Sequence, residues 1–102
     1  MPYGLTDKEL QTLQTQFAAN AHIEQAILYG SRAKGNYKPF SDVDIVLKGE
    51  ALSRMDVNRL QAAIDESSLP YKFDISIFAS LETPELIEHI ERVGIAIYEV
   101  EK

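Results

Sequence analysis

A small α/β domain, with a mixed sheet of about four strands and helices on one face of it, is the fold class that this 102-residue sequence predicts. Three observations carry that expectation. Residues 71–78 alternate, with Tyr71, Phe73, Ile75 and Ile77 on one side and Lys72, Asp74 and Ser76 on the other, the pattern of a half-buried strand. Apolar residues recur at helical spacing in three other stretches, each opened by a capping signal. Short apolar runs separate those stretches, so helices and strands alternate along the chain.

Taken in order, Met1 to Leu5 is expected to be a loose lead-in. Thr6 with Glu9 forms a capping box, and Leu10, Leu13 and Phe17 follow at helical spacing, predicting a helix to about Asn20. His22, in the next connection, has no second ligand type nearby and reads as a surface histidine. A strand over 26–29 feeds Gly30, and a short helix is predicted over 31–34. Residues 35–41 carry Gly, Asn, Pro and Ser and form a loop, after which a strand runs over 43–48. Ser53 and Asp56 cap a helix to about Glu66, whose apolar stripe is Val57, Leu60, Ala63 and Ile64. Residues 67–70 break it before the alternating strand. Thr83-Pro84-Glu85 opens the last helix with a cap, a proline at the first helical position and an acid in the first turn. Its core stripe is Leu86, Ile87, Ile90 and Val93, with His89 off the stripe and exposed. Gly94 ends it, a strand covers 95–100, and Glu101-Lys102 is a tail. Strand order is not readable at this level. No repeat or linker interrupts the chain, which reads as a single domain over 1–102.

Composition narrows the function. An apolar content of 45% with 25% charged residues is ordinary for a globular protein. With no cysteine, disulfides and thiolate metal sites are excluded, and a reducing compartment is compatible. No apolar run approaches membrane-spanning length and the first twenty residues lack the regions of a signal peptide, so a cytoplasmic protein without membrane contact is expected. The net charge of −6 argues against a module that binds duplex nucleic acid, which needs clustered Lys and Arg. Yet residues 32–38 hold three basic residues and no acid.

That basic loop lies inside the most informative stretch, residues 27–47, ILYGSRAKGNYKPFSDVDIVL. Gly30 and Ser31 directly follow a strand, where backbone N–H groups and a hydroxyl suit an anion. Asp42 and Asp44 point to one side of the next strand while Val43, Ile45 and Leu47 point to the other. Asp74 lies on the polar side of the later strand. By spacing alone it is as well explained by a solvent-facing strand position as by convergence with the first two acids.

Gly30-Ser31 followed by Asp42-Val43-Asp44 resembles the signature of the polymerase-β-type nucleotidyltransferase superfamily. The strings GSRAKG, SDVDIVL and FDISIF, with the ending IERVGIAIY, are similar to the minimal nucleotidyltransferases paired with HEPN-domain proteins in toxin–antitoxin modules. The resemblance implies that Asp42, Asp44 and Asp74 are the catalytic and metal-binding acids, and that Gly30, Ser31, Arg32 and Lys34 bind the nucleotide. It implies ATP as substrate and two Mg²⁺ ions, roughly 3.5–4 Å apart as in other two-metal sites, a choice that oxygen ligands and a polyphosphate favour. Lys34 stands where many members carry arginine, giving a point charge in place of a fork.

Three functions follow from these residues. The first is an enzyme that transfers AMP to a hydroxyl, by resemblance a tyrosine of a HEPN-type toxin, with this chain as antitoxin. The second is a nucleotide-binding module that neutralises the toxin by contact alone; the presence of all three acids favours the first, since an idle acid cluster is destabilising. The third is an antibiotic, tRNA or poly(A) nucleotidyltransferase, which needs acceptor-holding domains for which this length leaves no room. Acceptor positioning is therefore expected from a HEPN partner or from a second copy of this domain.

Overall fold

A four-stranded sheet in the order β3-β2-β1-β4 organises the computed structural model, which describes residues 2–100. The strands are β1 (Gln25–Tyr29), β2 (Val43–Lys48), β3 (Phe73–Ile77) and β4 (Ile95–Glu99). β1 pairs antiparallel with both β2 and β4, while β2 and β3 are parallel, so the sheet is mixed. The parallel pair needs a crossover, supplied by the helix α3 (Arg54–Glu66) between its strands. The other helices are α1 (Asp7–Ala18), the single turn α2 (Ser31–Lys34) and α4 (Pro84–Val93).

Strand alternation divides the apolar residues into two clusters. Ala26, Leu28, Val43, Ile45, Leu47, Phe73 and Ile97 face Leu13 and Phe17 of α1 and Val57, Leu60 and Ile64 of α3. Burying each of these larger side chains contributes about 1.5–3 kcal/mol, which makes this layer the main source of stability. The helix starts are as the sequence foretold. Thr6 Oγ1 accepts the Glu9 N–H at 3.0 Å while Glu9 Oε1 accepts the Thr6 N–H at 2.9 Å, and at α3 Asp56 Oδ2 accepts the Ser53 N–H at 2.9 Å and the Ser53 hydroxyl at 3.2 Å.

The opposite face holds the second cluster, Ile27, Tyr29 and Val46 against Ile90 of α4, with Leu86, Phe78 and Leu81 around them. The helices are thus not all on one face. α1 and α3 cover the apolar face, whereas α4 lies against the β1 side of the face that carries the acids, because that face has its own apolar half to bury. The lead-in is also corrected: residues 2–4 form a 3₁₀ turn, Leu5 is fully buried, and the Tyr3 carbonyl is used by a buried guanidinium. Met1 and the tail Glu101-Lys102 lie outside the described residues. His22 is half-exposed, as expected, with Nδ1 3.1 Å from Asp56 Oδ2. No described helix is long and apolar enough to cross a membrane.

Candidate nucleotidyltransferase site

The register of the sheet assembles the site. Tyr29 pairs with Asp44 across β1 and β2, and Asp44 pairs with Asp74 across β2 and β3, so the three form one row on one face. Residues opposite one another in adjacent strands project side by side from the same face. The two carboxylates expected on separate strands are therefore neighbours, with Asp44 half-buried and Asp74 exposed. Asp42 stands one residue before β2, exposed at the rim of the row.

Electrostatics follow from that placement. Burial, then the neighbouring charges of Asp74 and Asp42, raise the Asp44 pKa above its ordinary value. Burial likewise pushes the Tyr29 phenol up to about 12, with Asp74 and Asp44 adding to the shift and a hydrogen bond with Ser76 opposing it. Tyr29 therefore remains an O–H donor at neutral pH beside the acids and adds no charge to them.

The turn after β1 is built around Gly30, whose φ of 77° and ψ of −153° are open to glycine almost alone. A Cβ at this position would overlap Asp44 Oδ2, so the turn and the carboxylate are in direct contact through the missing side chain. Ser31 begins α2 immediately beyond, half-buried, and Lys34 is exposed on the same turn. The structure thus brings Gly30, Asp44 and Asp74 together, with Ser31 next in the chain after the turn, Asp42 one residue before β2 and Lys34 exposed at the end of α2.

Arg32 is a correction. Its side chain is only 1% exposed, and its guanidinium donates to Ser41 O at 2.8 and 3.2 Å, to Tyr3 O at 2.8 Å and, more weakly, to Pro39 O at 3.5 Å. It also lies over the rings of Tyr71, at 4.6 Å, and Tyr37, at 5.3 Å. A guanidinium committed in this way does not meet a phosphate; it fastens the 39–41 loop, and hence the approach to Asp42, onto the fold. Replacing Arg32 by Lys loses the fork and is expected to destabilise the domain by roughly 2–4 kcal/mol, read as a lowered midpoint in urea unfolding.

The acids also differ from a closed metal cage. Among the described residues no group of three or more His, Cys, Asp or Glu is arranged to hold an ion by itself. Asp44 and Asp74 offer oxygen ligands only, and their mutual repulsion is what a cation would relieve. That donor set fits Mg²⁺, which is bound through one or two carboxylates with substrate phosphates and water completing its shell.

Two contributors were not anticipated from sequence. Tyr29 was read only as a strand residue, although alternation from Ile27 places it on the acid face. His89 is not exposed off the stripe: its Nε2 accepts the Gly30 N–H at 3.1 Å and its ring meets Tyr29 edge-on, with centroids 6.2 Å apart. Leu86, His89, Ile90 and Val93 have the i, i+3, i+4, i+7 spacing of one helical face, which is the signal that was available.

Comparison with known proteins bears on the family and on the fold. The family model "Polymerase beta, Nucleotidyltransferase" matches residues 11–102. The chain belongs to that nucleotidyltransferase family. It is 36% identical over 75 residues to the probable protein adenylyltransferase MntA of Haemophilus influenzae, an alignment spanning 72% of this chain and 65% of that relative. Among solved structures, a toxin–antitoxin complex with AMP-PNP matches at a TM-score of 0.73, with 19% identity over 90% of this chain and 74% of the other. A complex of tri-AMPylated Shewanella oneidensis HEPN toxin with MNT antitoxin matches at 0.55, with 16% identity over 89% of this chain and 73% of the other. At these identities the two structures share the nucleotidyltransferase fold seen here.

Proposed function

We propose that this domain is a Mg²⁺-dependent nucleotidyltransferase that moves AMP from ATP to a tyrosine hydroxyl of a HEPN-type toxin partner, and thereby acts as its antitoxin. The observation that carries this reading is the cross-strand pair Asp44–Asp74 beside the Gly30 turn, which Asp44 touches. A glycine turn in contact with one carboxylate of a cross-strand pair suits phosphoryl transfer, since such catalysis is mostly positioning and charge stabilisation. The relation to an adenylyltransferase and to HEPN–MNT complexes supports the choice of AMP and of partner.

In the proposed reaction the acceptor oxygen bonds to the α-phosphorus as the bond from that phosphorus to the bridging oxygen breaks, and pyrophosphate leaves. Asp44 and Asp74, with Asp42 at the rim and the triphosphate completing the shell, would hold the Mg²⁺, which would neutralise charge on the triphosphate and lower the pKa of the acceptor hydroxyl. Asp74, on the open side of the row, receives the acceptor proton. The Ser31 hydroxyl and the backbone N–H groups of the turn, with Lys34 at the edge, bind the departing pyrophosphate. Arg32 has no direct part. Adding a phosphate to the partner places negative charge on it, which would oppose RNA binding there.

Calorimetry tests the nucleotide half of this reading: ATP is expected to bind with Mg²⁺ and to lose affinity in chelator, and equal binding in both buffers would contradict it. Asp74 separates binding from chemistry. Asp74→Ala is expected to keep ATP affinity within about tenfold while transfer to the partner falls by roughly a hundredfold or more. Transfer at the wild-type rate would make Asp74 a surface residue of its strand.

A further inference from the structure

The Gly30 N–H lies just past Tyr29–Asp44, the last cross-strand pair of β1 and β2, so the sheet ladder offers it no acceptor there. Its partner is His89 Nε2, 3.1 Å away on α4. On the other side of the same residue, the Gly30 carbonyl accepts the Lys34 N–H of α2 at 3.1 Å. Both polar backbone groups of the one residue in a glycine-only conformation are therefore held, one by each helix. The His89 ring is itself placed by the edge of Tyr29, and by its neighbour Ile90, which anchors α4 in the second apolar cluster at 3% exposure. To accept this bond Nε2 must present its lone pair, leaving the ring proton on Nδ1.

We propose that His89 is a positioning residue of the phosphate turn: by accepting the Gly30 N–H it clasps the turn to α4 and fixes where Ser31 and Asp44 stand relative to one another. Its effect runs through Gly30, since the space that a Cβ would fill there is already taken by the Asp44 carboxylate. A turn free to swing would carry the Ser31 hydroxyl away from the leaving group and release Asp44 from its contact. Catalytic geometry tolerates little of this; a displacement of about 1 Å can lower a rate by roughly a hundredfold. The catalytic consequence rests on the nucleotidyltransferase reading above, whereas the clasp itself does not.

A residue that merely fills space beside Tyr29 would be replaced as well by leucine as by glutamine, and that contrast is the test. In ¹⁵N-labelled, nucleotide-free protein, hydrogen exchange at the Gly30 amide is expected to be at least about tenfold faster in His89→Leu than in wild type. His89→Gln, which restores an acceptor, should return most of the protection. With ATP, Mg²⁺ and the HEPN partner, His89→Leu should lower kcat for transfer by roughly ten- to a hundredfold with little change in KM for ATP, and His89→Gln should recover much of it. If the leucine variant does not fold, His89→Ala takes its place. Unchanged Gly30 exchange in the leucine variant, or equal losses in the leucine and glutamine variants, would overturn the inference. A wild-type protein that transfers nothing would overturn the nucleotidyltransferase reading instead, with the exchange contrast still deciding the clasp.

Discussion

Asp44→Asn is expected to remove AMP transfer by roughly a thousandfold or more while making the metal-free domain more resistant to heat. The catalytic loss follows from the central place of Asp44 in the row, between Tyr29 and Asp74 and in contact with the Gly30 turn. The gain in stability follows from the same placement. Burial, Asp74 and Asp42 raise the Asp44 pKa, so the folded protein holds the Asp44 proton more tightly than the unfolded chain does. The associated stability is fully present below the ordinary carboxylate pKa and is lost as pH rises through the raised value. At neutral pH an ionised Asp44 therefore weakens the fold, and the amide of asparagine removes that burden. Thermal unfolding in chelator should show Asp44→Asn melting above wild type at pH 7, with the difference shrinking as pH falls through the carboxylate range. A lower melting temperature at pH 7 would mean that Asp44 is held by favourable partners and is not under strain.

Gly30→Ala is expected to be nearly as damaging to transfer, for a reason that leaves every charged group in place. The new Cβ meets the Asp44 carboxylate, and alanine is poorly tolerated at φ 77°, ψ −153°. Moving the backbone out of that region breaks the bonds that His89 and Lys34 make to Gly30, while moving Asp44 disrupts the acid row. A loss of about 2–4 kcal/mol in stability, with transfer reduced by roughly a hundredfold or more, is the expected result. Gly35 provides the control. It also has positive φ, 85°, but in the left-handed region, and a Cβ there meets nothing within 4 Å. Gly35→Ala should lower stability by only about 1–2 kcal/mol and leave transfer close to wild type. Equal effects at the two glycines, measured by urea unfolding and transfer rate, would show that backbone strain alone explains Gly30.

Strand alternation made Asp42, Asp44 and Asp74 readable as candidates, and the helix caps at Thr6, Ser53 and Thr83 marked where the helices begin. What alternation does not contain is the order of strands. The Asp44–Asp74 pairing depends on β2 lying parallel to β3 in one particular register, a property of the crossover and not of either strand. Arg32 was misread for a related reason: a basic residue next to a phosphate turn invites a phosphate, but which carbonyls surround it is decided by the 39–41 loop and the first turn of the chain. The covered half of the acid face was legible in principle, since Ile27, Tyr29 and Val46 demand an apolar partner there. His89 falls off the stripe only when that helical face is counted by its aliphatic members alone.

The most direct measurement is the intact mass of the HEPN partner after incubation of the purified pair with ATP and Mg²⁺. The partner is expected to gain mass in whole AMP units on tyrosine, and to gain none with Asp44→Asn in place of the wild-type domain. A partner that is inhibited yet unmodified would contradict transfer and identify neutralisation by contact.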